Sequence, residues 1–167
     1  LMGEHYFGTV GIISAGLFYK NLDNFIFTQR YDSIINSINV VLNQSRNGES
    51  AELLGFELAY QQNMTFLPGA LKGIGLYANY TYTNSLANIS NRSGEAGTEE
   101  IRLPGQAAHV GNLSLAYDYG KFNLRASANF NGEYISELGD EADEDVYVKS
   151  RMQIDLTGAY RITRNFQ

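Results

Sequence analysis

Residues Val110 to Tyr134 read VGNLSLAYDYGKFNLRASANFNGEY, and they decide the fold. In the first arm Leu113, Leu115, Tyr117 and Tyr119 alternate with Asn112, Ser114, Ala116 and Asp118. In the second, Phe122, Leu124, Ala126, Ala128 and Phe130 alternate with Asn123, Arg125, Ser127, Asn129 and Asn131. Successive side chains of a strand point to opposite faces, so each arm is a β-strand with one apolar and one polar side. Gly120-Lys121 between them, with glycine at the first central position, suits a two-residue type II′ turn. That turn pairs Tyr119 with Phe122, Tyr117 with Leu124, Leu115 with Ala126 and Leu113 with Ala128. A slip of one residue would mix the faces, so the register is strongly specified.

The polar side of this hairpin, rich in Asn and Ser with one Arg, is too polar for a dry core. The apolar side carries aromatic residues at both ends: Tyr117, Tyr119 and Phe122 near the turn, Phe130 and Tyr134 at the other. Strands of about ten residues, apolar outside, polar inside and fringed by aromatics, characterise transmembrane β-barrels. An ordinary antiparallel sheet with one wet face shares the alternation, so the rest of the chain must separate the two.

The 167 residues are 44% hydrophobic, without an apolar run long enough for a transmembrane helix. A barrel hides its hydrophobicity in alternation and is untouched by that observation. The first residues, Leu1-Met2-Gly3-Glu4-His5, lack the basic head and apolar run of a signal peptide, so the expectation is either a cytosolic chain or an interior piece of a longer one. With no cysteine, disulfides and thiolate metal sites are excluded. A net charge of −6 without a basic stripe argues against a nucleic-acid partner. Abundant Gly and Tyr favour strands and tight turns.

In order, the reading is a strand tail at 3–7, a turn at 8–11, and one long strand from Ile12 to about Thr28 with a bulge near Asn21–Asn24. A long loop with some strand extension follows over 29–48. Strands come next at 51–61 and 73–84, separated by Leu67-Pro68-Gly69. A polar stretch over 85–105 closes on Leu103-Pro104-Gly105. After the hairpin come an acidic segment at 136–146 and a last strand at 150–162. Connections therefore alternate: short at 8–11, 64–72 and 120–121, long at 29–48, 85–105 and 136–147. Bacterial outer-membrane barrels sort their connections this way, and a soluble sandwich has no reason to. Aromatics follow the same sorting, with Tyr60, Phe66, Tyr117, Tyr119, Phe122 and Tyr160 toward short turns. Phe25, Phe27, Tyr80, Tyr82, Phe130 and Tyr134 lie toward long connections.

Several stretches resemble the C-terminal barrel of TonB-dependent outer-membrane receptors. They are Gly16-Leu17-Phe18-Tyr19-Lys20-Asn21-Leu22-Asp23-Asn24-Phe25-Ile26, then Asn47-Gly48 leading to Leu54-Gly55-Phe56-Glu57. Leu76 to Thr83, Leu103-Pro104-Gly105, Val110 to Leu115, Ile154 to Thr157 and Tyr160 to Thr163 follow in the family's order. The resemblance implies an all-β antiparallel up-and-down meander, a segment of one of the roughly 22-stranded transmembrane β-barrels that enclose a plug. It also implies import of a scarce nutrient across the bacterial outer membrane, energised through TonB. Residues 1–167 are then a partial barrel of about six full strands. The plug, the TonB-contacting N-terminal segment and the last hairpin are expected outside them, since the resemblance runs only to Asn165-Phe166-Gln167, one hairpin before the family's last strand.

No convincing nucleophile–base pair stands out, and no cofactor is called for. His5 and His109 lack metal-ligand spacing and read as structural. Within the acidic run, Asp140, Asp143 and Asp145 are calcium candidates, set against a solvated outer loop. Glu57, Asn112, Arg125, Asn129, Asp155 and Arg161 are expected to face the lumen, where the charged ones, with Glu133, line a substrate path or form inter-strand ion pairs. Leu76, Leu113, Leu115, Leu124, Phe130, Ile154 and Leu156 are expected to face lipid. Tyr31, Arg46, Arg92 and Arg102 in the long connections are ligand-binding candidates, the arginines for an anionic group. Sequons such as Asn88–Ser90 are ordinary in Asn-rich loops. Two other functions fit parts of the pattern: a small passive or structural outer-membrane barrel, and a soluble β-sandwich carbohydrate-binding or adhesin module.

Overall fold

The computed structural model describes residues 1–8, 11–92 and 96–162. Its backbone is one antiparallel meander of β1 (Met2–Phe7), β2 (Gly11–Asp23), β5 (Ser50–Asn63), β6 (Ile74–Ser90), β8 (His109–Tyr119), β9 (Phe122–Asn131) and β12 (Arg151–Tyr160), neighbours in that order. Two further hairpins and one small extension lie in the long connections: β3 (Ile26–Ile35) with β4 (Ile38–Asn47), β10 (Tyr134–Glu137) with β11 (Val146–Val148), and β7 (Thr98–Ile101) on the end of β6. The closing residues 165–167 and Thr163 lie outside the described residues, as does part of the 8–11 turn.

The hairpin has the expected register. Tyr119 pairs with Phe122, Tyr117 with Leu124, Leu115 with Ala126 and Leu113 with Ala128. Gly120 has φ +63° and Lys121 does not share the left-handed region, as a type II′ turn requires. From there the alternation propagates across the sheet. Leu76 pairs with Leu115, and Ile154 and Leu156 pair with Ala128 and Ala126, so the seven apolar residues expected on one face share it. Among the described residues no second sheet or helix covers that face: Leu115, Leu124 and Ile154 are 48%, 47% and 65% exposed. A sandwich core cannot be built on it.

The stagger of the strands carries independent information. Gly11, in the last pair of β2 before its short turn, is level with Gln62, Leu76 and Leu115, whereas Leu115 lies four residues before the last pair of β8 at Tyr119. The short turns thus step ~13 Å along the strands over three strand spacings of ~4.8 Å each. With those turns on one membrane surface, the strands tilt by roughly 40°, the inclination of transmembrane barrels. On β9 the aromatic limits are Phe122 and Phe130, ~27 Å apart along the strand and about 20 Å along the barrel axis, close to the height of an apolar belt.

Three expectations are corrected. The strand begun at Ile12 does not reach Thr28. It pairs in unbroken register to Asp23 opposite Ser50, with no bulge, and turns off at Asn24, whose φ is +56°. Phe25 then folds over Gly48, where a Cβ would meet its ring at 2.1 Å, and Gly48 N–H donates to the Phe25 carbonyl at 2.7 Å. The poor alternation that suggested a bulge has a side-chain cause: Lys20 sits with its ammonium 5.5 Å from the Phe18 ring centroid, on the same face. Second, residues 29–48, expected as a long loop with some strand extension, belong almost wholly to the β3–β4 hairpin, which turns on Asn36 and Ser37 with φ +52° and +64°, a type I′ turn without glycine. Third, Phe25, Phe27 and Tyr134 belong to the connections and not to an aromatic girdle, Tyr134 pairing with Val148.

Candidate functional site

Both features of interest lie on the polar face. One residue inside the Phe130 limit of β9, Asn79, Asn112, Asn129 and Gln153 form one level across four strands. Asn112 Nδ2 donates to Asn79 Oδ1 and Asn79 Nδ2 to Tyr77 Oη, both at 2.8 Å, and Ser114 Oγ lies 3.1 Å from Ser127 Oγ. The expected inter-strand ion pairs are not what holds this wall. Among the described residues Glu57, Arg125 and Asp155 form none, and Gln153 donates to Asp155 at 3.2 Å instead. Arg161 lies past the end of β12, at the short-turn rim, its backbone N–H bonded to the Lys121 carbonyl. Glu133 is in the loop layer and pairs with exposed Lys149 at 2.8 Å.

Toward the long connections the polar face becomes dry. Ala51, Leu53, Ala87 and Ile89 are buried there, and Ile89 packs with Phe27, Ile135 and Leu138, flanked by Phe25 and Ile101. Phe27 comes from the 24–49 connection, and Ile135 and Leu138 from the one after β9. The connections therefore fold inward over the face opposite the apolar one and meet. Backbone bonds join them further: Arg30 N–H to the Leu138 carbonyl at 2.7 Å, Leu138 N–H to Thr28 at 3.0 Å, and Gly105 N–H to Ile135 at 2.8 Å.

Arg92 ties this layer electrostatically. Its Nη2 and Nε donate to the two carboxylate oxygens of Glu99 at 2.5 and 2.9 Å, and Nη1 donates to Asp145 at 2.5 Å and to the Gly139 carbonyl at 3.2 Å. Its side chain is 4% exposed and that of Asp145 5%. A buried guanidinium needs this degree of pairing, because an unpaired buried charge is expensive. The hydrogen bonds from Arg92 hold the Glu99 carboxyl below its usual range, against the opposing effect of burial. A lowered carboxyl pKa contributes stability that is present above the ordinary value and lost as pH falls through the folded one. The loop layer is therefore expected to loosen below about pH 4.5. Glu99→Gln should flatten that acid dependence; limited proteolysis of the full receptor across pH 3–7 reads both.

The candidate ligand residues divide accordingly. Arg92 is occupied by carboxylates. Arg46 is exposed on β4 opposite Phe27. Tyr31 lines a cleft of about 250 Å³ with Arg30, Asp32, Gly139 and Glu144. Arg102 lines a cavity of about 210 Å³ with Thr83, Ser85, Gln106, His109 and Glu133, and makes no ion pair among the described residues. The Leu103-Pro104-Gly105 turn positions it: Gly105 has φ +78°, and Leu103 N–H donates to Ser85 Oγ at 3.2 Å. The three calcium candidates are not assembled. Asp145 faces Arg92, Asp140 accepts from Gln29 at 3.3 Å, and no group of three or more acidic or His side chains able to hold a metal occurs among the described residues. Sequence reasoning missed Glu99, Gln29 and Leu138. Only Leu138, the one large apolar residue between Glu137 and Val146, carried a signal.

A tilted antiparallel wall, apolar on its uncovered face and wet on the face its long connections fold over, defines a segment of an outer-membrane β-barrel. The chain belongs to the TonB-dependent receptor-like β-barrel family, whose profile matches residues 4–167. No curated protein matches it. This is a family of transporters embedded in the bacterial outer membrane and coupled to TonB.

Proposed function

We propose that this chain is part of the wall and mouth of a ligand-gated importer of a scarce nutrient: an iron chelate, cobalamin or an oligosaccharide. In the complete receptor the wall continues to roughly 22 strands around an N-terminal plug. Energy arrives through TonB, by way of the segment preceding the barrel. Tyr31 and Arg102 are the cargo contacts of the mouth, Arg102 meeting an anionic or hydrogen-bond-accepting group. The observation that carries this reading is an exposed guanidinium, without an ion pair among the described residues, lining a polar cavity in a loop layer whose buried arginine, Arg92, is already neutralised.

The test is uptake of labelled ferric chelates, cobalamin and oligosaccharides by cells expressing the full receptor, with and without TonB. Arg102→Ala is expected to weaken binding of the accepted cargo about tenfold, the loss of one charge-assisted hydrogen bond, with the barrel assembled normally. Uptake that persists without TonB would favour a passive barrel, and unchanged affinity would remove Arg102 from the site.

A further inference from the structure

We propose that the three long connections are not three independent loops but one gating body, latched by Arg92, which opens and closes as a unit. The assignment rests on the importer reading only for its biological sense; the mechanical claim stands on the packing. The segment after β9 is tied to both other connections, to each by backbone hydrogen bonds and by side-chain contacts. The β3–β4 hairpin meets the segment after β9 through Phe27 against Leu138 and Ile135, and through two backbone hydrogen bonds at Leu138. The connection after β6 meets that same segment through Arg92 and through Gly105 N–H to Ile135.

The energetics make such an arrangement cooperative. Opening either partner of the Arg92 contact exposes a carboxylate or guanidinium that was almost wholly buried and paired, and it also unstacks the apolar cluster beside it. Groups that lose their partners together open together, as one sub-global unit. An isolated two-stranded hairpin such as β3–β4 is itself marginal in water, so its order depends on the cluster at its base. A change at Arg92 should therefore be felt at Gln29, which Arg92 does not touch among the described residues.

Single cysteines at buried positions of each connection report this: Gln29→Cys, Ala107→Cys and Ile135→Cys. The chain has no cysteine of its own to interfere. In the purified full-length receptor, labelling by a hydrophilic maleimide measures how often each site opens, independently of cargo and of which membrane side the mouth faces. Adding Arg92→Met should accelerate all three by a common factor of about tenfold or more, the consequence of leaving buried carboxylates unpaired. Acceleration at Ile135→Cys alone, or at none of the three, would overturn the single-body assignment. Should Arg92→Met not assemble, Asp145→Asn breaks the same contact more gently, and the same common acceleration is required of it. Loss of uptake by Arg102→Ala bears on the importer reading and leaves this outcome unaffected.

Discussion

Leu115→Arg is expected to destabilise the assembled barrel by about 2–4 kcal/mol, the cost of a guanidinium near the middle of the bilayer. Leu115 pairs with Ala126, halfway between Phe122 and Phe130 on β9, so its level is far from both aromatic rims. Leu124 pairs with Tyr117, one level from the rim formed by Tyr119 and Phe122, and its arginine can reach the interface. Leu124→Arg should therefore cost less than Leu115→Arg. Ser127→Arg points to the opposite face and should cost under ~1 kcal/mol, the contact with Ser114 being the main loss. Urea midpoints of the receptor refolded into vesicles, or the fraction resisting heat denaturation on gels, give the order. Equal damage from Leu115→Arg and Ser127→Arg would mean that both faces are dry, which no wide barrel allows.

Leu138→Ala should act on the loop layer and leave the wall alone. Leu138 is fully buried among Phe27, Ile89 and Ile135, and truncation of such a leucine costs about 2–5 kcal/mol through lost transfer energy and the cavity left behind. Most of that falls on the opening equilibrium of the layer, because the backbone bonds of Leu138 go to Thr28 and Arg30 in the layer and its side chain meets the wall only at Ile89, near the end of β6. Protease cleavage within residues 132–150 should rise about thirtyfold or more at the low end of that range, while urea resistance of the barrel stays unchanged. A loss of barrel stability comparable to the cleavage effect would show that the layer and wall are one cooperative unit.

The wall was legible in the sequence because its determinants are local. Period-two alternation in 112–119 and 122–131 and a glycine at the right turn position fix register without reference to any distant residue. Sorting of long and short connections then distinguished a membrane wall from a sandwich. The connections were legible only as lengths. Their order comes from contacts between segments distant in sequence, such as Arg92 with Asp145, 53 residues on, and Gln29 with Asp140, 111 residues on, for which no local period exists. The β3–β4 hairpin escaped because Asn36-Ser37 is a weaker turn signal than Asn-Gly. Arg92 read as a cargo contact for the same reason: a sequence displays a guanidinium, and only the fold displays the two carboxylates that claim it.

The slanted register has a consequence for how such a wall can change length. Excising one residue from β8 would exchange inside for outside along everything beyond it. Excising two would restore the sides but lift the Gly120–Lys121 turn out of the plane it shares with its neighbours. Tolerated length changes within the strands should therefore be even-numbered and matched by the adjoining strand, whereas the connections can grow or shrink one residue at a time. Diversity among homologous walls is expected to accumulate by that arithmetic, with the mouth free to vary and the staves nearly fixed.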